Sequence, residues 1–144
     1  MMPRLSLMLP AMIVATAIVG CGSGLPQTVR VSGRVTFDGQ APPGPGTVYF
    51  LPQEAGEGFP SRPATGDFDK EGHFKAATFA RGDGLMPGKY TMHIECFQTP
   101  PNMEGKPVKS HVPTKYQSAQ TSGFKLDITP DMRSQDVNLD IVTK

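Results

Sequence analysis

From Thr28 onward, apolar and polar residues alternate with a period of two, and this pattern restricts the fold more than any other feature. In the first run, Thr28–Phe37, the valines and the phenylalanine fall on one face and the charged and hydroxyl side chains on the other. Because successive side chains of a β-strand point to opposite sides, the spacing predicts a strand with one buried face. Six further runs predict strands at Gly46–Pro52, Ala64–Asp69, Gly72–Thr78, Lys89–Phe97, Phe124–Thr129 and Gln135–Thr143.

Seven such strands, with no stripe of 3.6-residue period, predict an all-β domain over residues 28–144. The 16 Gly and 15 Pro residues of the chain supply turns and disfavour a helical fold. Two antiparallel sheets packed face to face would bury one face of every strand. We therefore expect a single seven-stranded antiparallel β-sandwich with Greek-key connections. In the strand Lys89–Phe97, the inward positions would be Tyr90, Met92, Ile94 and Cys96.

The first 20 residues predict a secretory signal peptide with a helical apolar segment. Met1–Arg4 is short and positive, and Leu5–Val19 is apolar but shorter than the roughly 20 residues that a membrane-spanning helix needs. The tetrapeptide Ile18-Val19-Gly20-Cys21 resembles the lipobox of bacterial lipoproteins. That resemblance implies signal cleavage between Gly20 and Cys21 and attachment of lipid, with acyl chains such as palmitate, at Cys21. An ordinary signal peptide with an incidental cysteine is the alternative.

Residues 21–27 would then form a lipidated tether. Gly22–Gln27 is rich in Gly and reaches at most about 20 Å when extended. Each buried methylene of an acyl chain contributes about 0.8 kcal/mol, so two or three chains would hold the protein at a membrane. We expect an exported protein, anchored in the cell membrane or outer membrane and facing the periplasm or the cell surface. Gly22, rather than Asp, favours the outer membrane by resemblance to known sorting behaviour.

The cysteine count argues against a disulfide-stabilised protein, and the net charge argues against a nucleic-acid-binding protein. With Cys21 acylated, Cys96 has no intramolecular partner, which excludes a disulfide framework. Its alternation with apolar neighbours predicts a buried thiol, and a reactive thiol is the alternative. Without Arg4 the domain has 13 basic and 13 acidic residues, so it lacks the positive charge that nucleic-acid binding needs.

Three sequence patterns resemble a calcium site, a zinc site and an adhesion motif, and each has a simpler structural explanation. Asp67–Gly72 begins like a calcium loop, but Thr78 stands where a bidentate Glu would close it. The histidines are far apart in sequence and are predicted to be solvated, because no spacing suits zinc. The adhesion tripeptide Arg81–Asp83 lies in a turn-rich segment. We expect no metal site, no cofactor and no catalytic residue. The histidines are His73, His93 and His111.

Several motifs together resemble the carboxypeptidase regulatory-like domain, a transthyretin-like β-sandwich of immunoglobulin-like topology. The motifs are V-x-G-x-V-T-F-D-G-Q at 31–40, G-T-V-Y-F-L-P at 46–52, A-T-G-D-F-D-K-E-G-H-F at 64–74 and G-L-M-P-G-K-Y-T-M-H-I at 84–94. Val112–Tyr116 (V-P-T-K-Y) and Thr121–Phe124 (T-S-G-F) resemble segments of small bacterial lipoproteins built on this domain. The resemblance runs from Val29 to about Ile141 and implies a non-catalytic accessory module.

These observations lead us to expect a membrane-anchored, non-catalytic lipoprotein that presents a β-sandwich at the cell envelope for binding or structural roles. Its partners would be membrane lipid, through acylated Cys21, and an envelope protein or glycan. Contacts are expected at the loops Gln53–Pro63 and Gln98–Ser122. The alternative is a periplasmic small-ligand or calcium carrier, and a hydrolase with an unrecognised site is a third hypothesis. A carrier would need a pocket lined by Tyr49, Phe50, Phe59 and Phe97.

Overall fold

The computed structural model describes residues 24–144, so the expected signal peptide and Cys21 lie outside the described residues. Nine β-strands and one short 3-10 helix form this part of the chain. The strands are β1 Arg30–Phe37, β2 Gly46–Ala55, β3 Ala64–Phe68, β4 His73–Lys75, β5 Gly88–Glu95, β6 Phe97–Thr99, β7 Lys109–Ser110, β8 Lys125–Ile128 and β9 Ser134–Ile141, and the 3-10 helix is Thr114–Gln117.

All seven strands expected from the alternation are present, and they pair in one sheet in the order β8-β5-β2-β3-β4-β1-β9. The all-β class is therefore confirmed. This sheet is nearly closed into a barrel. The prediction of a purely antiparallel arrangement is wrong, because β1 and β9 pair in parallel from Arg30–Ser134 to Phe37–Ile141. The expected two separate sheets are also joined, since β4 pairs with both β3 and β1. Strands β6 and β7 form a separate hairpin.

The inward faces of the strands form the core as the alternation predicted. Tyr90, Met92, Ile94 and Cys96 of β5 and the residue after it are each at most 3% exposed. In β2, Val48 and Phe50 are fully buried, whereas Thr47, Tyr49 and Leu51 on the other face are half-buried. Fully burying a large apolar side chain contributes about 1.5–3 kcal/mol, so these positions dominate the stability of the domain.

The turn between β3 and β4 is built by one carboxylate and one glycine. Asp69 Oδ1 accepts hydrogen bonds from the backbone N–H of Glu71 at 3.0 Å and of His73 at 2.9 Å. Gly72 has φ = 91°, and a Cβ there would lie 2.0 Å from the carbonyl oxygen of Val35. Both the positive φ and the close approach to β1 therefore require glycine at this position.

The long segment Gln98–Ser122, expected to be a loop, has two different halves. Residues 100–109 are all exposed and belong to the β6–β7 hairpin. Residues 112–122 instead pack against the edge of β5 that β8 leaves uncovered. There the backbone N–H of Met92 donates to the carbonyl of Phe124 at 3.1 Å, and the hydroxyl of Ser122 donates to the carbonyl of Met92 at 2.5 Å. This half of the segment is part of the fold.

The direction of the strands places the two chain segments that leave the barrel at opposite ends. Strand β1 starts at the end where Val29 and Leu85 exchange two backbone hydrogen bonds, of 2.7 and 2.9 Å, and the tether enters there. Strand β5 runs in the same direction as β1, and β6 follows it after one residue. We name these the tether end and the hairpin end. At about 3.3 Å per residue, an eight-residue strand is about 25 Å long, and the tilt of strands in a barrel makes the two ends lie closer together than that.

Candidate functional site

A Tyr–His–Glu cluster lies on the outer face of β2 and β5. The antiparallel register sets Tyr49 opposite His93 and Thr47 opposite Glu95. The rings of Tyr49 and His93 stack with centroids 4.7 Å apart and planes 4° apart. The hydroxyl of Tyr49 donates to Oε2 of Glu95 at 2.9 Å. Strand pairing alone therefore brings an aromatic pair and a carboxylate together.

Burial sets the charge state of this cluster. Burial lowers the pKa of His93, and the nearby charge of Glu95 only partly opposes this, so the imidazole is neutral at neutral pH. Burial also raises the pKa of Tyr49, and the hydrogen bond and charge of Glu95 raise it further. His93 Nδ1 is buried and has no hydrogen-bond partner within residues 24–144. Chemically, the cluster combines a neutral ring pair with one carboxylate.

The expectation of solvated histidines is wrong for His93. The alternation correctly put His93 on the outer face, but the ring of Tyr49 on the neighbouring strand covers it. The side chain of His73 is 63% exposed, as expected for a solvated histidine. Its Nδ1 lies 3.8 Å from Oδ1 of Asp69. His111 is half-buried. The three histidines remain far apart and do not form one site.

The β6–β7 hairpin carries an ordered and exposed tip. Asn102 Oδ1 accepts the backbone N–H groups of Glu104 and Lys106, both at 3.1 Å. Its Nδ2 donates to the carbonyls of Pro100 at 3.1 Å and Lys106 at 3.3 Å. Met103 is fully exposed between these anchors. Hydrogen bonds of the Asn102 side chain, rather than packing on the barrel, therefore shape this loop.

The pocket that a carrier would need is not assembled by the four aromatic residues named for it. Phe50 is fully buried in the core, whereas Tyr49 points to the outer face. Phe59 lies in the loop at the tether end, and Phe97 begins β6 at the hairpin end. Consecutive strand residues point to opposite faces, so Tyr49 and Phe50 cannot line the same pocket.

The segment Asp67–Gly72, which begins like a calcium loop, forms the end of β3 and the turn to β4. Asp67 Oδ1 accepts a hydrogen bond from Thr47 Oγ1 at 2.9 Å, and Asp69 holds the turn. Within residues 24–144, no three His, Cys, Asp or Glu side chains lie close enough together to hold a metal ion.

Cys96 is a buried thiol, as expected. It is 1% exposed, and its Sγ lies 3.6 Å from the carbonyl oxygen of Gly44. Burial raises the pKa of this thiol, with a smaller opposing effect of the contact with Gly44, and so disfavours the reactive thiolate.

Asp83 of the adhesion-like tripeptide is used inside its own loop. Its carboxylate accepts the backbone N–H groups of Thr78 at 2.7 Å and of Phe79 and Ala80 at 2.9 Å each. Both oxygens face the loop backbone, so the carboxylate serves to hold residues 78–83 in place. The turn-rich sequence around this tripeptide does not indicate that Asp83 binds the backbone of its own loop.

The expected cleavage and lipid-attachment residues, Gly20 and Cys21, lie outside the described residues. The first described contact of the tether is made by Gln27, whose Nε2 donates to the carbonyl of Pro130 at 3.0 Å. Among residues 24–144, no helix has the length and apolar character to cross a bilayer.

Comparison with protein-family models, with curated proteins and with solved structures found no match for this chain.

Proposed function

We propose that the protein is a membrane-anchored lipoprotein without catalytic activity, whose β-barrel domain presents the β6–β7 hairpin to a partner at the cell envelope. Cys21 is the proposed lipid attachment site and Gly20–Cys21 the proposed cleavage site. The protein is exported and remains bound to the cell membrane or the outer membrane. Its envelope partner is a protein or a glycan.

One observation carries this proposal: the tether enters at one end of the barrel and the exposed hairpin leaves at the other. A chain held by residues 21–27 would keep Met103, in the β6–β7 hairpin, on the far side of the barrel from the tether end. The hydrogen bonds of Asn102 favour this shape of the hairpin tip before any partner binds, which lowers the entropy lost on binding. Of the two loops expected to make contacts, the exposed half of Gln98–Ser122 suits this role better than Gln53–Pro63 at the tether end.

The non-catalytic part of the proposal is supported by how polar side chains are used. Asp69 and Asp83 bind backbone N–H groups, and Asp140 Oδ1 accepts hydrogen bonds from Thr36 Oγ1 at 2.7 Å and the N–H of Gly39 at 2.9 Å. Cys96 is buried with a raised pKa. These groups, which could act as acids, bases or nucleophiles, instead stabilise turns and the core.

We also propose kinship with the carboxypeptidase regulatory-like domains of transthyretin-like fold. The motif residues Gly72, Phe74 and Tyr90 stand at a turn and in the core, where a shared fold would require them. Kinship of this kind would make the chain an accessory module behind a lipid anchor.

The anchor is tested by replacing each cysteine in turn and expressing the full chain in a Gram-negative host. Cys21→Ser removes the attachment site, and Cys96→Ala is the matched control that removes the other thiol. We expect the control to enter the detergent phase of a Triton X-114 separation and to incorporate labelled palmitate. Cys21→Ser should stay in the aqueous phase without label. A labelled Cys21→Ser protein in the detergent phase would refute the anchor.

A second candidate, a small-ligand carrier, is favoured by the cluster of Tyr49, His93 and Glu95. Stacked rings beside a carboxylate suit a ligand with hydroxyl groups and an apolar face. Titrating the protein with soluble cell-wall oligosaccharides should then shift the amide NMR signals of these residues. Unchanged signals at millimolar concentrations would dismiss this candidate.

A further inference from the structure

We infer that the tether end is a lipid-facing surface, on which Arg30, Arg62, Arg81 and Arg133 contact the phosphates of membrane lipids. The inference rests on the proposed lipid anchor and goes beyond it, because an anchor alone fixes the distance of the domain from the membrane and leaves its orientation free.

The arginines are distributed unevenly along the barrel. Arg30 begins β1, Arg133 precedes β9, Arg62 precedes β3, and Arg81 lies in the loop between β4 and β5. All four backbone positions are at the tether end, and the Arg81 side chain also lines a cavity on the outer face of β3 and β4 with Asp67 and His73. Arg34, the other arginine among residues 24–144, lies within β1 and donates from Nε to the carbonyl of Glu71 at 2.9 Å.

The four guanidinium groups at the tether end are exposed, and none lies within ion-pair distance of a carboxylate in the part of the chain that the structure describes. Arg62 stacks over the ring of Phe79, with its Cζ 4.8 Å from the ring centroid. A guanidinium group binds phosphate oxygens through two parallel hydrogen bonds, which gives arginine its preference for phosphate. These side chains are therefore available to an external anion.

Five carboxylates at the same end keep their negative charge, because hydrogen bonds and an ion pair do not remove it. Glu54 pairs with Lys89 Nζ at 2.9 Å, Asp83 binds three backbone N–H groups, and Asp131 accepts the hydroxyl of Thr129 at 2.5 Å. Glu57 and Asp127 are exposed, and the five carboxylates together offset the charge of the four arginines and Lys89. The surface therefore suits short-range contact with individual phosphates rather than long-range attraction, which acts only over a Debye length of about 8–10 Å.

Apolar groups accompany the arginines. Phe59 and Phe79 are half-buried in the two loops at this end, and Leu25 in the tether is 58% exposed. Aromatic and arginine side chains together match the boundary between lipid headgroups and acyl chains. The tether Gly22–Gln27 is short enough to hold this end within about 20 Å of the lipid.

Orientation can be measured with tryptophan reporters, because the chain contains no Trp. Phe59→Trp reports on the tether end, and Met103→Trp is the matched reporter at the hairpin end. The lipidated full chain is reconstituted in vesicles of phosphatidylcholine and phosphatidylglycerol that contain brominated phosphatidylcholine. We expect quenching of Trp at position 59 and little quenching at position 103. Equal quenching of the two would overturn the inference.

The arginines are then tested with Arg62→Gln, Arg81→Gln and Arg133→Gln combined in the Phe59→Trp protein. Lys106→Gln with Lys109→Gln, at the hairpin end, is the control. Quenching at position 59 should fall by about half or more in the arginine variant and stay unchanged in the control. Unchanged quenching in the arginine variant would contradict the assigned role.

Flotation with the vesicles separates this inference from the anchor on which it rests. If the anchor is wrong, neither reporter protein floats with the vesicles, and both proposals fail. If the anchor is right and the orientation is wrong, both proteins float and are quenched alike. Should Phe59→Trp not fold, Ser61→Cys carrying a nitroxide label replaces it, because Ser61 is exposed and Cys96 is buried.

Discussion

The ring of Tyr116 stacks on the ring of Phe124, with centroids 5.3 Å apart and planes inclined by 18°. Tyr116 belongs to the 3-10 helix, and Phe124 directly precedes β8. Their contact fixes the segment that covers the free edge of β5, next to the hydrogen bond from Ser122 to Met92. An uncovered strand edge is a template for aggregation, so this stack protects the central part of the sheet.

Removing that ring should destabilise the domain. Tyr116 is 6% exposed, so Tyr116→Ala leaves a cavity, and we expect the free energy of unfolding to fall by about 3–5 kcal/mol. Tyr116→Phe keeps the stack and should change it by less than about 0.5 kcal/mol. Urea unfolding of the two variants checks this. A loss of similar size in both would show that the hydroxyl, rather than the stack, carries the effect.

The same Tyr→Phe change should destabilise the domain more at Tyr90 than at Tyr116. Its buried hydroxyl donates to the carbonyl of Met86 at 2.8 Å, across the turn that leads into β5. Tyr90→Phe removes the donor from a buried carbonyl and should lower the free energy of unfolding by about 1–3 kcal/mol. The measurement is the same urea titration. A neutral Tyr90→Phe would mean that water replaces the lost donor.

Two glycines with similar φ should differ in their tolerance of alanine. Gly72 (φ = 91°) would place a Cβ against the carbonyl of Val35, whereas Gly39 (φ = 77°) has no atom within 4 Å of that position. Gly39→Ala should cost about 1–2 kcal/mol through backbone strain alone. Gly72→Ala should cost about 1–3 kcal/mol more, because β1 must move. Equal losses in thermal or urea unfolding would contradict the close approach to β1.

The carboxylate of Asp83 should make stability fall in acid. Burial tends to raise the pKa of this group, but its hydrogen bonds from Thr78, Ala80 and Phe79 outweigh burial and hold the pKa below its usual value. A pKa lower in the folded than in the unfolded state stabilises the fold above about pH 4, and this contribution is lost as the pH falls through the folded-state pKa. Asp83→Asn should therefore lose less stability between pH 7 and pH 3 than the native protein. Parallel acid profiles would contradict this role.

The thiol of Cys96 should react only when the domain unfolds. Burial raises its pKa and blocks access, so a disulfide reagent such as DTNB should modify it slowly in buffer and rapidly in 6 M guanidinium. The proposed acylation of Cys21 predicts that protein extracted from membranes shows a single thiol after denaturation. Fast modification in buffer would mean that the β5 edge opens readily.

The strands were predictable from sequence because the period-two pattern directly records which side chains are buried. Val31 and Val35 in β1, and Val137 and Leu139 in β9, carry that pattern clearly, and all four are buried. The pattern contains no information about which strand lies beside which. The parallel pairing of β1 with β9 joins the two ends of the domain, so no local turn signal announces it.

The cluster of Tyr49, His93 and Glu95 was harder to predict, because the alternation does not tell which strands are neighbours. The face of His93 followed from its position in β5, but its burial depends on Tyr49, 44 positions earlier in the chain and adjacent only through register. Cys96 was predictable because its burial follows from the alternation of its own strand. The role of Asn102 depends on the local path of the hairpin, which proline and glycine content alone did not specify.

The most direct test of the account is the mass of the N-terminal peptide of the mature protein, extracted from the membranes of cells that produce it. We predict a chain that begins at Cys21, with the added mass of a diacylglycerol group on its thiol and, where present, one more acyl chain on its amino group. A mature chain with an unmodified Cys21, or one that begins at another residue, would contradict the account.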